Sequence, residues 1–114
     1  MVACADIAAV AAELLQEQWR GVRVVELEAR QRVSPNDIAA AFAGLLGHEV
    51  KTTAIPRDTW HTLFTAQGMR NPTPRMQMID GFNEGWIDFE GGQQGSRKGD
   101  TTLLEALRGL LERA

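Results

Sequence analysis

The tetrapeptide Ser34-Pro35-Asn36-Asp37 predicts the start of a helix more firmly than any other part of this chain. A serine is a preferred N-cap because its hydroxyl accepts a hydrogen bond from an early helical N–H group. Proline suits the first helical position, where its missing N–H needs no partner, and Asp37 complements the positive end of the helix dipole. Apolar residues then recur at helical spacing up to Gly47, a residue type that commonly ends helices. We therefore expect a helix from residue 35 to about residue 46.

Strand-like segments flank this helix on both sides. Residues 22–28 and 49–55 are rich in β-branched side chains, which is typical of strands. A strand, a helix and a strand in close succession form a βαβ unit, in which the strands are parallel and the crossover is right-handed. Two parallel strands leave their edges open, so we expect pairing in a dimer or with a partner to extend this sheet.

Apolar residues at helical spacing predict four further helices. The first covers residues 6–18 with Asp6 as its N-cap, one opens at Pro56, one begins at Arg75, and the last begins at Thr101 or Thr102. Residues 91–100 are polar and glycine-rich, which indicates a flexible loop. The predicted fold class is α/β and mostly helical, with about five helices around one right-handed βαβ unit in a single domain over residues 1–114.

Composition bounds the class of protein and its partners. The 114 residues are 44% hydrophobic and 24% charged, which is typical of a globular domain with a modest core. A net charge of −3 offers no basic surface for nucleic acid. Asp6 and Glu13 interrupt the apolar N-terminal stretch, so neither a signal peptide nor a membrane span is predicted. The single Cys4 cannot form an internal disulfide, and we expect a cytoplasmic protein.

The residue types that carry chemistry form no complete catalytic pattern. Asp58 and His61 lie one helical turn apart and suggest a hydrolytic carboxylate–imidazole pair, but no nucleophile accompanies them, so a place on the helix surface is favoured. Two histidines and one cysteine, all scattered, predict no metal site. The glycine-rich loop lacks the order of a Walker motif because Lys98 precedes Gly99, which favours a solvated connector. The chain also has no tyrosine, so a Tyr-x-x-x-Lys proton relay is absent.

Residues 80–92, DGFNEGWIDFEGG, resemble a run found in the NmrA-like family, which are atypical short-chain dehydrogenase relatives that bind NAD(P). Four more segments resemble that family's substrate-side part in the family's order. They are CADIAAVAAELL (residues 4–15), SPNDIAAAFAGLLGHEV (34–50), IPRDTWHTLFTAQGM (55–69) and RKGDTTLLEALRGLL (97–111). Together these segments cover nearly the whole chain.

The resemblance implies that residues 1–114 correspond to the C-terminal portion of an NmrA-like protein. The family holds its dinucleotide at a G-x-x-G-x-x-G turn, and nothing before Asp6 has that pattern, so no cofactor is expected for this chain alone. The function expected is a non-catalytic module that binds small molecules or proteins and buries its cleft face in a homodimer or against a partner. The alternative is one part of an NAD(P)-dependent oxidoreductase or redox sensor that a separate Rossmann-containing partner completes.

The resemblance also places one face of the chain at a substrate cleft. Helical spacing predicts that Met78, Phe82 and Trp86 point inward, and that the Asn83 amide is partly buried and bonded to backbone or ligand. No catalytic, cofactor-binding or metal-binding residue is predicted. The candidate pocket for a small apolar ligand is lined by Asn83, Trp86, Trp60, Phe64, Met69 and Arg75.

Overall fold

Helices dominate the structure, a computed structural model that describes residues 1–114. Six α-helices and one two-stranded parallel sheet confirm the mostly helical α/β class. The chain divides into two compact units. Unit 1 combines Met1–Thr52 with Gln93–Ala114, and unit 2 is Thr53–Gly92. The expectation of a single domain stays a prediction.

The elements follow the chain in a simple order. They are α1 (Cys4–Gln16), β1 (Leu27–Glu28), α2 (Pro35–Leu46), a 3-10 turn (Arg57–Thr59), α3 (Trp60–Ala66), α4 (Thr73–Glu84), the single-turn α5 (Gly92–Gly95), β2 (Arg97–Lys98) and α6 (Leu103–Arg113). In unit 1, α2 packs against α6. In unit 2, α3 packs against α4.

The predicted boundaries of α2 are confirmed. Ser34 forms a capping box with Asp37, in which the Ser34 backbone N–H donates to Asp37 Oδ2 at 2.7 Å and the Asp37 N–H donates to Ser34 Oγ at 3.3 Å. At the other end Gly47 has a φ of 74°, a left-handed conformation that glycine adopts without steric cost. Local sequence alone therefore sets both ends of this helix.

The second strand does not lie where the sequence predicts it. Residues 49–55 have no regular secondary structure, and only Leu27–Glu28 of the predicted first strand belongs to the sheet. The partner of β1 is β2, inside the segment expected to be a polar loop, with Leu27 opposite Arg97. Backbone hydrogen bonds at 2.8 Å and 2.7 Å hold this parallel pair, from Arg97 N to Glu26 O and from Gly99 N to Glu28 O. The connection from β1 to β2 thus carries several helices rather than α2 alone.

Asp6 is not the N-cap of the first helix. That helix begins at Cys4 with Ala3 as its N-cap, so Asp6 lies in its first turn. The Asp6 carboxylate is buried and accepts hydrogen bonds from Thr101 N at 3.0 Å and from Thr101 Oγ1 at 2.7 Å. Asp6 therefore ties α1 to the segment before α6, a long-range role that helix-capping rules do not anticipate.

The buried apolar core is small in both units. Val10, Ala39 and Leu107 are its members in unit 1, and Phe64 is its only member in unit 2. No large side chain is fully buried, whereas many large apolar side chains are exposed. From α6, only Leu107 belongs to this core.

Candidate functional site

Three of the predicted pocket residues come together in unit 2. Trp60 and Phe64 lie one turn apart on α3, with ring centroids 6.5 Å apart and ring planes inclined at 44°. The Arg75 guanidinium carbon lies 4.8 Å from the centroid of the Phe64 ring, within the range of a cation–π interaction. We call Trp60, Phe64 and Arg75 the aromatic cluster.

The polar groups around the aromatic cluster are paired within the protein. Trp60 Nε1 donates a hydrogen bond to Ile55 O at 2.9 Å. Arg57 lies over the Trp60 ring and binds both carboxylate oxygens of Asp80, at 2.8 Å and 2.5 Å. The Arg57 hydrogen bonds hold the pKa of Asp80 below its ordinary value. The Arg57–Asp80 pair thus joins the 3-10 turn before α3 to α4.

The other three predicted residues have different surroundings. Met69 is half-buried, and its backbone N–H donates to Phe64 O at 3.0 Å. Asn83 is exposed, so the expectation of a partly buried amide is wrong. Trp86 is 61% exposed, and its Nε1 donates to Glu84 Oε2 at 3.0 Å. Trp86 directly follows Gly85, the left-handed residue that ends α4, so Asn83 and Trp86 lie at the end of that helix.

An exposed apolar stripe replaces the inward-facing helix side that the sequence predicts. Met78 and Phe82 lie one turn apart on α4 and are 46% and 61% exposed, and Trp86, which lies beyond the end of the helix at Gly85, is 61% exposed. The buried position of α4 is Gly81, which lies beside the Trp86 ring and whose carbonyl accepts a hydrogen bond from Ile87 N at 3.1 Å. The three exposed side chains, which we call the α4 stripe, are a large apolar surface with no cover in this unit.

Unit 1 contains a concave site that sequence reasoning missed. This pocket has a volume of about 360 Å³ and a mainly apolar wall. Three separate segments line it, and no local pattern shows that they meet. Its lining residues are Met1, Val2, Ala3, Ala29, Arg30, Gln31, Val33, Ile38, Thr101, Thr102, Leu103, Ala106 and Leu107.

A polar cluster next to the sheet of unit 1 has a structural role. Glu28 is 5% exposed and accepts hydrogen bonds from Ser96 Oγ at 2.6 Å, from Arg32 Nε at 2.8 Å and from Lys98 Nζ. These bonds, that from Lys98 most of all, lower the pKa of Glu28 to about 2. Ser96 and Lys98 resemble a serine–lysine pair, but the ammonium group is held by a carboxylate and Ser96 is buried. The cluster therefore has no free base to activate the hydroxyl.

The remaining candidates bring no catalytic groups together. Asp58 and His61 are both exposed, and no hydrogen bond or ion pair joins them. No three His, Cys, Asp or Glu side chains are grouped closely enough to hold a metal ion. No helix has the length and the apolar character needed to cross a membrane.

Comparison of the chain with protein-family models, with curated proteins and with solved structures finds no match.

Proposed function

We propose that this chain is a non-catalytic interaction module that buries the α4 stripe against a second copy of itself. The exposure of Met78, Phe82 and Trp86 carries the proposal. Large apolar side chains exposed on one helix and directly after it mark a surface that is usually covered, because leaving them in water costs about 25 cal/mol for each Å². The resemblance to the substrate-side part of NmrA-like proteins agrees with this role, since that part covers a cleft rather than holding the dinucleotide.

Surface area supports a partner of substantial size. The accessible surface is 8979 Å². A folded monomer of this mass exposes about 6,200 Å², and two independent units of these lengths expose about 7,400 Å² in total. The excess over the larger value, roughly 1,600 Å², exceeds the roughly 800 Å² that each partner contributes to a standard interface. The chain therefore exposes enough extra surface to form the interface of a homodimer.

Light scattering coupled to size-exclusion chromatography tests the dimer. We expect the mass of two chains for the wild type and of one chain for Phe82→Glu, because two copies of a new carboxylate would be buried together. Leu15→Glu is the matched control, since Leu15 is 82% exposed on α1 and lies outside the α4 stripe. A monomeric wild type, or an equal loss of the dimer in both variants, would contradict the proposal.

The proposed module does not need NAD(P). The chain lacks the glycine turn that brings a backbone close to a pyrophosphate at a helix N-terminus, so we expect no tight dinucleotide binding. Titration with NADPH in a calorimeter measures this directly. A dissociation constant in the micromolar range or lower would contradict a non-catalytic module. We propose the cytoplasm as the location of this protein, because an exposed free thiol at Cys4 is compatible with reducing conditions.

A second candidate function rests on the open sheet. Residues 22–25 lead into β1, make no backbone–backbone hydrogen bond, and expose Val22 by 95% and Val24 by 80%. Such a segment can pair with a strand of another protein. In this alternative a Rossmann-containing partner supplies the cofactor site of an oxidoreductase or redox sensor. Mixing the chain with such a domain and recovering no complex by size-exclusion chromatography would eliminate this alternative.

A further inference from the structure

We infer that the pocket of unit 1 is a binding site for a small, uncharged apolar molecule. The pocket shares no residue with the α4 stripe or with the aromatic cluster. Its function would therefore be separate from the dimer contact proposed above, and neither depends on the other.

The walls of this pocket come from three parts of unit 1. One wall is the N-terminal segment Met1, Val2 and Ala3. The opposite walls come from residues 29–38, which run from the end of β1 into α2, and from the start of α6. A hydrogen bond from Ala29 N to Met1 O at 3.0 Å ties two of these walls together, and the packing of α2 against α6 fixes the third. One backbone hydrogen bond and the packing of two helices therefore hold the concavity.

Small side chains create the open space between the walls. Ala3, Ala29 and Ala106 each contribute only a methyl group to the lining, and Val33, Ile38 and Leu107 complete an aliphatic surface. Leu107 is buried, which makes it a fixed part of the wall. Aliphatic walls of this kind favour ligands through burial of apolar area rather than through hydrogen bonds.

Three polar side chains of the lining have partners in the protein, whereas the Gln31 amide forms no hydrogen bond. Thr101 Oγ1 donates to Asp6, and Thr102 Oγ1 donates to Glu105 at 2.8 Å as part of the cap of α6. The Arg30 guanidinium pairs with Asp100 at 2.7 Å. A charged ligand would have to compete with Asp100 for Arg30 and would leave its own charge poorly solvated in the apolar part. The mainly apolar wall therefore favours an uncharged molecule.

The volume sets the size of the ligand. Small-molecule sites usually measure between about 300 and 1,000 Å³, and an apolar cavity of about 150 Å³ in another protein binds benzene. At about 360 Å³ this pocket is larger than a one-ring site. We expect ligands of roughly ten to twenty non-hydrogen atoms, such as two-ring aromatic compounds or medium-chain alcohols.

Fluorescence titration with N-phenyl-1-naphthylamine tests the site, because this uncharged probe becomes bright in apolar surroundings. We expect the wild type to enhance its emission, and 1-octanol to displace it more effectively than octanoate. Ala106→Leu places a larger side chain in the pocket and should weaken probe binding by about tenfold or more. Ala12→Leu is the matched control, since Ala12 is exposed on α1 and lies outside the lining, and it should leave binding unchanged.

Two further variants keep the outcome decisive. Ala29→Leu fills the pocket from a different wall, and it replaces Ala106→Leu if circular dichroism shows that the latter is unfolded. Phe82→Glu should retain full probe binding, which separates this site from the α4 stripe whether or not the chain dimerises. Absence of fluorescence enhancement with the wild type would overturn the inference. Equal binding by the wild type and a folded pocket-filling variant, or loss of binding in Phe82→Glu alone, would overturn it as well.

Discussion

The Ser96 hydroxyl donates a hydrogen bond to Glu28 Oε1 at 2.6 Å, although 68 positions separate the two residues in the sequence. Both residues are buried, and Lys98 donates to the same carboxylate oxygen. This contact lies beside the β1–β2 pair, so side chains and backbone join the same two segments. The sheet of unit 1 is short, and Glu28 is the side chain that holds it together.

We predict that unit 1 loses stability in acid because Glu28 becomes protonated. Its pKa falls from an ordinary value of 4.5 to about 2 in the folded chain, so the stabilisation from the ionised carboxylate is fully present above about pH 4.5 and is lost as the pH falls towards 2. Glu28→Gln should lower the melting temperature at neutral pH by about 5 °C or more and reduce its dependence on pH in this window. Thermal unfolding followed by circular dichroism measures both effects. Glu49→Gln, at an exposed ion pair with Lys51, should change little.

Gly99, between β2 and α6, lies too close to Asp6 for a larger side chain. A Cβ at this position would collide with the Asp6 carboxylate, which must then leave its hydrogen bonds to Thr101. Gly99→Ala should therefore destabilise the chain by about 1–3 kcal/mol in urea unfolding. Gly44→Ala provides the contrast, because that site in α2 is open and alanine favours a helix by about 0.5–1 kcal/mol. Equal stability of the two variants would contradict the role given to Asp6.

We predict that Thr102 stabilises the start of α6 as its N-cap. Its hydroxyl accepts a hydrogen bond from Glu105 N at 3.3 Å, and the Glu105 carboxylate accepts one from Thr102 N at 2.8 Å. Removing this capping box with Thr102→Ala should cost about 1 kcal/mol in chemical unfolding. Thr62→Ala in the first turn of α3 removes the same atoms from an exposed side chain that caps no helix and forms no hydrogen bond, and it should cost much less.

The close approach of Ile87 to Gly81 leaves no room for a larger side chain at the end of α4. A Cβ there would lie 2.5 Å from Ile87 Cδ1 and 2.9 Å from Trp86 Cη2. Gly81→Ala should therefore displace Ile87 and shift its methyl resonances in an NMR spectrum, with a loss of stability of about 1–3 kcal/mol. Gly109→Ala in α6 meets only an ordinary contact and should leave the Ile87 resonances in place. Unshifted Ile87 signals in Gly81→Ala would show that this close approach is absent in solution.

Features encoded by neighbouring residues could be predicted from the sequence. The start of α2 follows from Ser34 and Asp37, and its end follows from Gly47, because each signal acts within about one helical turn. The meeting of Trp60 and Phe64 likewise follows from their spacing on α3. In each case the partners are close in the chain, so few alternative arrangements compete.

Features that join distant segments could not be predicted in this way. Residues 49–55 have strand-like composition, but strand formation needs a partner, and the hydrogen bonds of β1 go to residues 97–99 instead. Asp6 has the residue type of an N-cap, yet its carboxylate binds Thr101, 95 positions away. The pocket of unit 1 was missed for the same reason, since its wall exists only after three separate segments have assembled. The error at Asn83 was local instead. Its spacing indicated partial burial, but the end of α4 is open to solvent.

The pairing of β1 with β2 also has a consequence for how the chain folds. The ion pair between Glu28 and Lys98 spans 70 positions, and all of unit 2 lies between them. Closing so long a loop costs entropy before any sheet contact forms, whereas α2 and α4 can form from local interactions alone. Helix formation should therefore precede assembly of unit 1, whose late step is the encounter of its two sequence halves.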